Sequence, residues 1–266
     1  MIAGIFHEGS GLGDQLFRYI TVRTLSQEKQ TEFGMVGVKN FKGSGFLDPF
    51  IRYDVKPDDS FKTWDEKDVR DANGLDIRSY DPEINFVEDN TIVDGSFEDE
   101  KYWGHNLANI SKWLAVEPLE VPDDTCVVGF RGGEYAGNPD LFLGNDYYMG
   151  AIERMQKAGV LNFKVHTDDP MMAGNFFANF GCIEDGDIVE NQPISHSKHT
   201  NMGYNWRSAR YAKYAVIPNS AFFILPRLLK HFEDPTAVTI APRYWARRNT
   251  KVWARPACYY KPFTYI

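Results

Sequence analysis

Short apolar runs of strand length alternate with segments of helical periodicity along most of this chain, and that alternation leaves few folds open to it. Residues 2–6 form an apolar run that stops at Gly9-Ser10-Gly11-Leu12-Gly13, after which Leu16, Phe17, Ile20 and Leu25 recur at near-helical spacing. The pattern predicts strand, glycine loop, helix. Past residue 124 it is cleaner still: Thr125–Phe130, 163–166, 187–189, 214–218 and Val238–Ala241 read as strands. Segments 145–158, 173–180, 207–214 and 222–231 read as helices, the last in spite of Pro226. Strands separated by helices pair in parallel, and a parallel sheet is covered on both faces, so the predicted class is α/β.

The first half carries the same pattern with a long interruption. Residues 32–38 and Thr91–Asp94 read as strands, whereas 39–81, rich in Gly, Pro, Asp and isolated aromatics, reads as loop with short helices. Phe41, Phe46, Phe50, Tyr53, Phe61 and Trp64 of that stretch suit either a ligand-binding wall or packing on the first sheet. In 98–116, Tyr102, Trp103, Leu107, Ile110, Trp113 and Leu114 fall on one helical stripe. Glu117-Pro118-Leu119-Glu120-Val121-Pro122-Asp123-Asp124 then sets two prolines among four acidic residues and predicts a linker. The expected division is an N-terminal domain over 1–118, a C-terminal domain over 123–250, and a tail over 251–266 that crosses back.

Composition removes several classes of function. With 43% hydrophobic and 15% aromatic residues the chain has enough apolar surface to offset the entropy of ordering, which excludes a disordered protein. A formal charge of −8 argues against general nucleic-acid binding. Cys126, Cys182 and Cys258 are odd in number and widely spaced, offering neither a disulfide framework nor a zinc knuckle. No apolar run approaches the ~20 residues that span a bilayer, and the first residues lack the pattern of a signal peptide. The expectation is a cytoplasmic protein without an integral membrane segment.

Four loops carry residues suited to chemistry. Gly9 to Gln15 joins a strand to a helix, where closely spaced glycines let backbone N–H groups approach a phosphate at a helix N-terminus; an empty tight turn looks the same. Its spacing matches neither the dinucleotide fingerprint nor a P-loop, which needs a Lys. Val127-Val128-Gly129-Phe130-Arg131-Gly132-Gly133-Glu134-Tyr135 is an apolar strand opening into a glycine loop. There Arg131 can fork onto a diphosphate or simply pair with Glu134. Asp168 and Asp169 follow a strand and precede Pro170, so they suit hydrogen bonds to a ribose or base, or a helix cap. Asn219 and Ser220 end a strand just before a helix and would face the same crevice.

Weaker candidates remain. Asp185-Gly186-Asp187 is either a turn or a D-x-D metal site, and His196 and His199 lack a carboxylate or cysteine at ligand spacing. His7 directly follows the first strand and is a candidate for touching an acceptor. Arg243, Arg247, Arg248, Lys251 and Arg255, interleaved with Tyr244, Trp245 and Trp253, suit sugar stacking, diphosphate attraction, tail packing or, less well, single-stranded nucleic acid.

Taken in order, these segments resemble the α-1,2-fucosyltransferases of glycosyltransferase family 11. Gly11-Leu12-Gly13-Asp14-Gln15-Leu16-Phe17-Arg18-Tyr19 is similar to that family's GGLGNQMFQY opening, and Asp94-Gly95-Ser96-Phe97-Glu98-Asp99-Glu100-Lys101-Tyr102-Trp103 to its GYFQSEKYF stretch. Gly129 to Tyr135 with Asp146-Tyr147-Tyr148 resembles HxRRGDY followed by YY, and 163–169 resembles FxxFSDD. Residues 214–222 resemble IIANSTFSWW, and Ile240-Ala241-Pro242-Arg243-Tyr244-Trp245 the late APxxW. The resemblance implies a GT-B-like fold, two Rossmann-like domains facing a cleft, with the acceptor on the N-terminal side and the nucleotide sugar on the C-terminal side. It implies an inverting, metal-independent enzyme that needs no cofactor and moves fucose from GDP-fucose to a glycan hydroxyl.

By that resemblance Arg131 holds the β-phosphate, Asp168 or Asp169 contacts guanine or ribose, and Asn219 with Ser220 supports the diphosphate. Gly11, Gly13 and Gln15 close over the donor; His7, by its place directly after the first strand, is the acceptor candidate. Asp14, where the family has Asn, is either a general base or a helix cap, and Glu134 stands for the family's Asp. Gly129 stands where the family has His, and Gly132 replaces its second Arg. Ala221-Phe222-Phe223-Ile224-Leu225 replaces the TFSWWG run. These departures suggest one alternative, a non-catalytic relative binding glycan or nucleotide, and the D-x-D of Asp185 and Asp187 another, a metal-dependent sugar transferase.

Overall fold

The computed structural model describes residues 1–47, 54–67, 69–70, 76–77, 79–183, 185–190, 201–247, 253–256 and 258–266. The chain divides into two compact units, Met1–Ala115 and Val116–Ile266.

The first unit is built on β1 (Ile2–Ile5), whose buried side chains lie under α1 (Leu12–Glu28). Leu16, Phe17 and Ile20 are buried at the predicted helical spacing. The helix comes close because Gly4 has no side chain: a Cβ there would lie 2.9 Å from Val22 Cγ2 and 3.1 Å from Met35 Cε. β2 (Phe33–Val36), β3 (Lys62–Asp65) and β6 (Thr91–Asp94) complete an all-parallel sheet in the order β2-β1-β6-β3. A ribbon of β4 (Val69–Arg70) and β5 (Asp76–Ile77) pairs antiparallel beside it in sequence.

Two features depart from the periodicity. β3 lies inside the stretch expected to be loop: its sequence, Lys-Thr-Trp-Asp, has no apolar face because it is an edge strand with mostly exposed side chains. The expected helix over 98–116 is helical only at α2 (Leu107–Trp113), preceded by 3-10 turns at Glu100–Tyr102 and Gly104–Asn106. Trp103 decides this. Its backbone leaves the helical region (φ −147°, ψ −13°) so that the buried indole can stack on Phe17, with 5.6 Å between centroids, and donate Nε1–H to the Phe97 carbonyl at 2.9 Å. Tertiary packing of the largest side chain outweighs helical propensity here.

The second unit is a six-stranded parallel sheet in the order β14-β11-β10-β7-β8-β9. β7 (Thr125–Phe130), central, is buried at all six positions, as a strand covered on both faces must be. It is flanked by β8 (Asn162–Thr167), then β9 (Ile188–Glu190), on one side, and by β10 (Tyr214–Val216), then β11 (Val238–Ala241), on the other. α4 (Asn145–Lys157), α5 (Pro170–Phe177), α6 (Asn201–Tyr211) and α7 (Ala221–Glu233) supply the connections, with a one-turn α3 (Gly133–Ala136) after β7. Phe130, Tyr148, Ile152, Phe163 and Phe177 anchor the core of this unit.

Near the end of the chain β12 (Ala246–Arg247) and β13 (Trp253–Ala254) form a hairpin, and β14 (Thr264–Tyr265) adds to the edge of the sheet beside β11. Arg243 N–H donates to the Ile266 carbonyl and Ile266 N–H to the Ala241 carbonyl, so the final residues satisfy an otherwise open strand edge. Among the described residues no helix is long and apolar enough to cross a membrane.

Candidate functional site

Each sheet reverses its strand order once near its middle, and in open parallel sheets ligands bind outside the carboxyl ends of the strands at that point. In the second unit the chain runs from β7 outward through β8 and β9, then returns to the other side of β7 as β10. The loops leaving β7 and β10 therefore flank the reversal. They are Arg131 to Glu134 and Pro218 to Ser220, two of the segments selected from sequence.

Arg131 is the centre of this crevice. Its Nη1 donates to Asp168 Oδ2 and its Nη2 to Glu134 Oε1 at 3.1 Å, and the guanidinium carbon lies 5.1 Å from the centre of the Tyr135 ring. The other Asp168 oxygen accepts from the Gly132 N–H at 2.9 Å. The structure thus brings Arg131, Glu134 and Asp168 together. It leaves the guanidinium one-third exposed, Asp168 largely buried and Glu134 78% exposed.

Several of the predicted donor residues also make contacts within the fold. The Asp169 carboxylate caps α5, its Oδ1 accepting from Met172 N–H at 3.0 Å. Asn219 is buried, and its Nδ2 donates to the carbonyls of Leu141 (2.8 Å) and Trp245 (2.6 Å), which ties three loops together. Ser220 occupies the N-cap position of α7, and its side chain makes no capping bond. The tyrosine pair is structural as well. Tyr147 donates to the Ile217 carbonyl at 2.5 Å and Tyr148 to the Gly129 carbonyl at 3.2 Å, and burial raises both phenols above their ordinary range.

The glycines that depart from the resemblance are filled by neighbours. A Cβ on Gly129 would stand 2.6 Å from Pro218 Cδ and 2.7 Å from Phe223 Cε2, so no imidazole fits there without repacking. A Cβ on Gly132 would stand 2.7 Å from the Asp169 Cβ. One group that sequence reasoning passed over is His166 near the end of β8. It is fully buried, hydrogen-bonded through Nδ1 to Asn205 Oδ1, and held down to about 4 chiefly by burial.

In the first unit β2 lies on one side of β1 while β6 and β3 lie on the other, and the loops leaving β1 and β6 meet at the carboxyl edge. His7, two residues past β1, contacts Asp94, the last residue of β6, with 2.7 Å between Nε2 and Oδ2. The remaining oxygen, Asp94 Oδ1, accepts from Arg18 Nε at 3.3 Å and from Gly95 N–H at 2.9 Å. Arg18 Nη1 also reaches Ser10 Oγ at 3.5 Å, so the glycine loop is tethered to the same group. Next to them Glu66 Oε2 accepts from Ser96 N–H, Ser96 Oγ and Phe97 N–H, fixing the turn after β6. Sequence reasoning had selected His7 but missed Asp94, Arg18 and Glu66; Asp94 entered only as the first letter of a matched stretch.

The glycine loop itself needs correction. Gln15 is fully buried: Nε2 donates to the Asn40 carbonyl at 2.8 Å, and Oε1 accepts from Lys42 N–H at 2.9 Å. It pins the loop after β2 through both ends of its amide. Gly13 is likewise buried in the first turn of α1, while Gly11, the N-cap, is exposed. Asp14 is not the cap: it stands in the first turn, where its charge complements the helix dipole, and its carboxylate lies against Gly11.

Asp185–Asp187 form a 3-10 turn leading into β9. His196, His199, Phe50, Tyr53, Arg248 and Lys251 lie outside the described residues. No group of three or more His, Cys, Asp and Glu suited to a metal ion occurs among the described residues.

No protein-family model matches the chain, and no curated protein matches it in sequence. Among solved structures it is similar to the E. coli heptosyltransferase WaaC with ADP, at 11% identity and a TM-score of 0.44, over 100% of this chain and 92% of that one. It is also similar to the E. coli heptosyltransferase WaaC with ADP-2-deoxy-2-fluoro heptose, at 11% identity and a TM-score of 0.43, over 100% of this chain and 93% of that one. Likeness of this degree assigns neither donor nor acceptor.

Proposed function

We propose that the chain is a glycosyltransferase of GT-B type that moves a sugar, fucose first among the candidates, from a GDP-sugar to a glycan hydroxyl, with inversion and without a metal ion. The reading rests on the ordered resemblance to the α-1,2-fucosyltransferases and on one observation that gives it a chemical centre. Arg131 stands at the reversal point of a six-stranded parallel sheet, on a glycine loop, with its planar fork partly exposed.

As a glycosidic bond to a diphosphate breaks, negative charge accumulates on the leaving oxygens, and a fixed guanidinium there stabilises the transition state more than the ground state. Asp168, largely buried and also bound to Gly132 N–H, holds Arg131 in orientation. Glu134 is different. An exposed carboxylate–guanidinium pair is worth about 0.2–1 kcal/mol, so a diphosphate can take its place. Ser220, at the start of α7 in the same unit, is the remaining donor contact in this reading.

The test is a thermal-shift panel of GDP, GDP-fucose, GDP-mannose and UDP-sugars, each with EDTA and with a divalent cation. A ligand at ~100 times its dissociation constant adds about 2.7 kcal/mol, enough to move the midpoint by several degrees. A shift with GDP-fucose that survives EDTA supports the reading, and a shift that requires the cation transfers weight to Asp185 and Asp187. No shift with any guanine nucleotide overturns the donor assignment.

A second reading, a non-catalytic relative that binds glycan or nucleotide, is favoured by the filled space at Gly129 and Gly132. Binding without transfer under any acceptor would establish it.

A further inference from the structure

The geometry points to His7 as the general base that deprotonates the acceptor hydroxyl, with Asp94 as its positioning residue and Arg18 holding Asp94 in place. This inference rests on the glycosyltransferase reading and identifies a group which that reading leaves open.

The argument is one of geometry and capacity. An ionised carboxylate can only accept, so the 2.7 Å contact to Asp94 Oδ2 sets the proton of neutral His7 on Nε2. That leaves the Nδ1 lone pair on the opposite side of the ring, and among the described residues Nδ1 has no hydrogen-bond partner. The ring is 43% exposed, so an acceptor can reach it. Asp94 is itself fixed: its second oxygen accepts from Arg18 Nε and the Gly95 amide, which stops it from swinging away. Arg18 is mostly buried and comes from α1, so among the described residues the carboxylate of β6 that contacts His7 is held in turn by a guanidinium from the helix.

This is the base and orienter of a catalytic triad without its protein nucleophile; the substrate hydroxyl stands in the nucleophile's place. The cluster lies at the carboxyl edge of β1 and β6, where a parallel sheet presents ligands. Asp14, the rival suggested by sequence, lies against its own helix N-cap.

In the step proposed, Nδ1 takes the proton of the acceptor hydroxyl as that oxygen's lone pair forms the bond to the anomeric carbon. The bond from that carbon to the diphosphate oxygen breaks, and its electron pair leaves on the nucleoside diphosphate. His7 is left as imidazolium and returns the proton to solvent. Donor, acceptor, glycoside and diphosphate balance with no further reactant.

The experiment compares the wild-type protein with His7→Gln, His7→Ala, Asp94→Asn and Asp14→Asn, measuring transfer from GDP-fucose over pH 5–9, donor affinity by calorimetry and the unfolding midpoint. The expected result is a fall in kcat of about 10²–10⁴-fold in His7→Gln, the usual worth of a general base. Donor affinity and midpoint stay unchanged, and the acidic limb of the pH profile is lost. Asp94→Asn should shift that limb and lower kcat less, while added imidazole should restore part of the activity of His7→Ala, a rescue no structural role provides. If His7→Gln keeps both its rate and its acidic limb, or if Asp14→Asn alone removes the limb, the inference is overturned while the transferase reading stands. A wild-type protein that binds GDP-fucose and transfers to no acceptor overturns both; one that binds no nucleotide sugar overturns the reading on which the inference rests.

Discussion

The two reversal points differ in how much of their chemistry is already committed. In the second unit the guanidinium of Arg131 meets two carboxylates, and the neighbouring Asp169 and Asn219 are spent on a helix cap and on loop carbonyls. In the first unit His7 has one nitrogen engaged and its ring exposed, on a carboxylate whose other oxygen is tied down. On the proposed reading, one crevice holds charge that a ligand partly displaces, and the other holds a proton acceptor ready. A polar residue at a sheet edge is thus no evidence of function until its hydrogen bonds have been accounted for.

The comparison breaks most visibly at Arg131. Arg131→Ala should lower transfer by about 10²–10³-fold, the scale of losing one transition-state charge contact, with the midpoint nearly unmoved because the side chain is partly exposed. Equal loss of rate and of fold would instead make Arg131 a structural clamp on Asp168.

Gly129→Ala tests whether the second crevice is closed by packing. The added methyl meets Pro218 and Phe223, and overpacking of this kind costs about 1–3 kcal/mol, read as a fall of several degrees in the unfolding midpoint. An unchanged midpoint would show room for the imidazole that the resemblance expects.

Gln15→Leu sharpens the contrast in the first unit. It strands the Asn40 carbonyl and the Lys42 amide, worth about 1–3 kcal/mol of stability, and should leave donor affinity alone. A donor affinity that falls while the midpoint holds would return Gln15 to the binding site.

His166 gives a pH signature belonging to the second unit. Its folded value, about 4, lies below the ordinary histidine value of 6.5, so the unfolded chain binds the proton first. The associated stability is complete above about pH 6.5 and is lost as pH falls from there towards 4. His166→Gln should flatten that part of the midpoint-against-pH curve. The smallest effect expected is Glu134→Gln, which removes an exposed competitor for Arg131 and should tighten donor binding by a few-fold at most, measured by calorimetry.

Much of the fold was legible because buried strands of a parallel sheet are continuous apolar runs bounded by turn signals. Thr91–Asp94, Thr125–Phe130 and Val238–Ala241 were read with their observed limits. β3 was not legible, since an edge strand reading Lys-Thr-Trp-Asp has no buried face to leave a pattern. Nor was the break at Trp103, where one indole seeks a partner far away in sequence.

The candidate sites divide along the same line. Sequence determined which loops end strands, and so selected Arg131, Asp168, Glu134 and His7 one by one. Only the tertiary structure decided that Asp168 and Glu134 converge on the same guanidinium, that Asp169, Asn219 and Gln15 each bond within the fold, and that His7 meets an aspartate 87 positions away. The physical reason is that hydropathy and turn chemistry act over a few residues, whereas a parallel sheet joins strand ends distant in sequence. Which polar atom finds a partner across that edge is set by register and packing, and neither leaves a trace in the local order of residues.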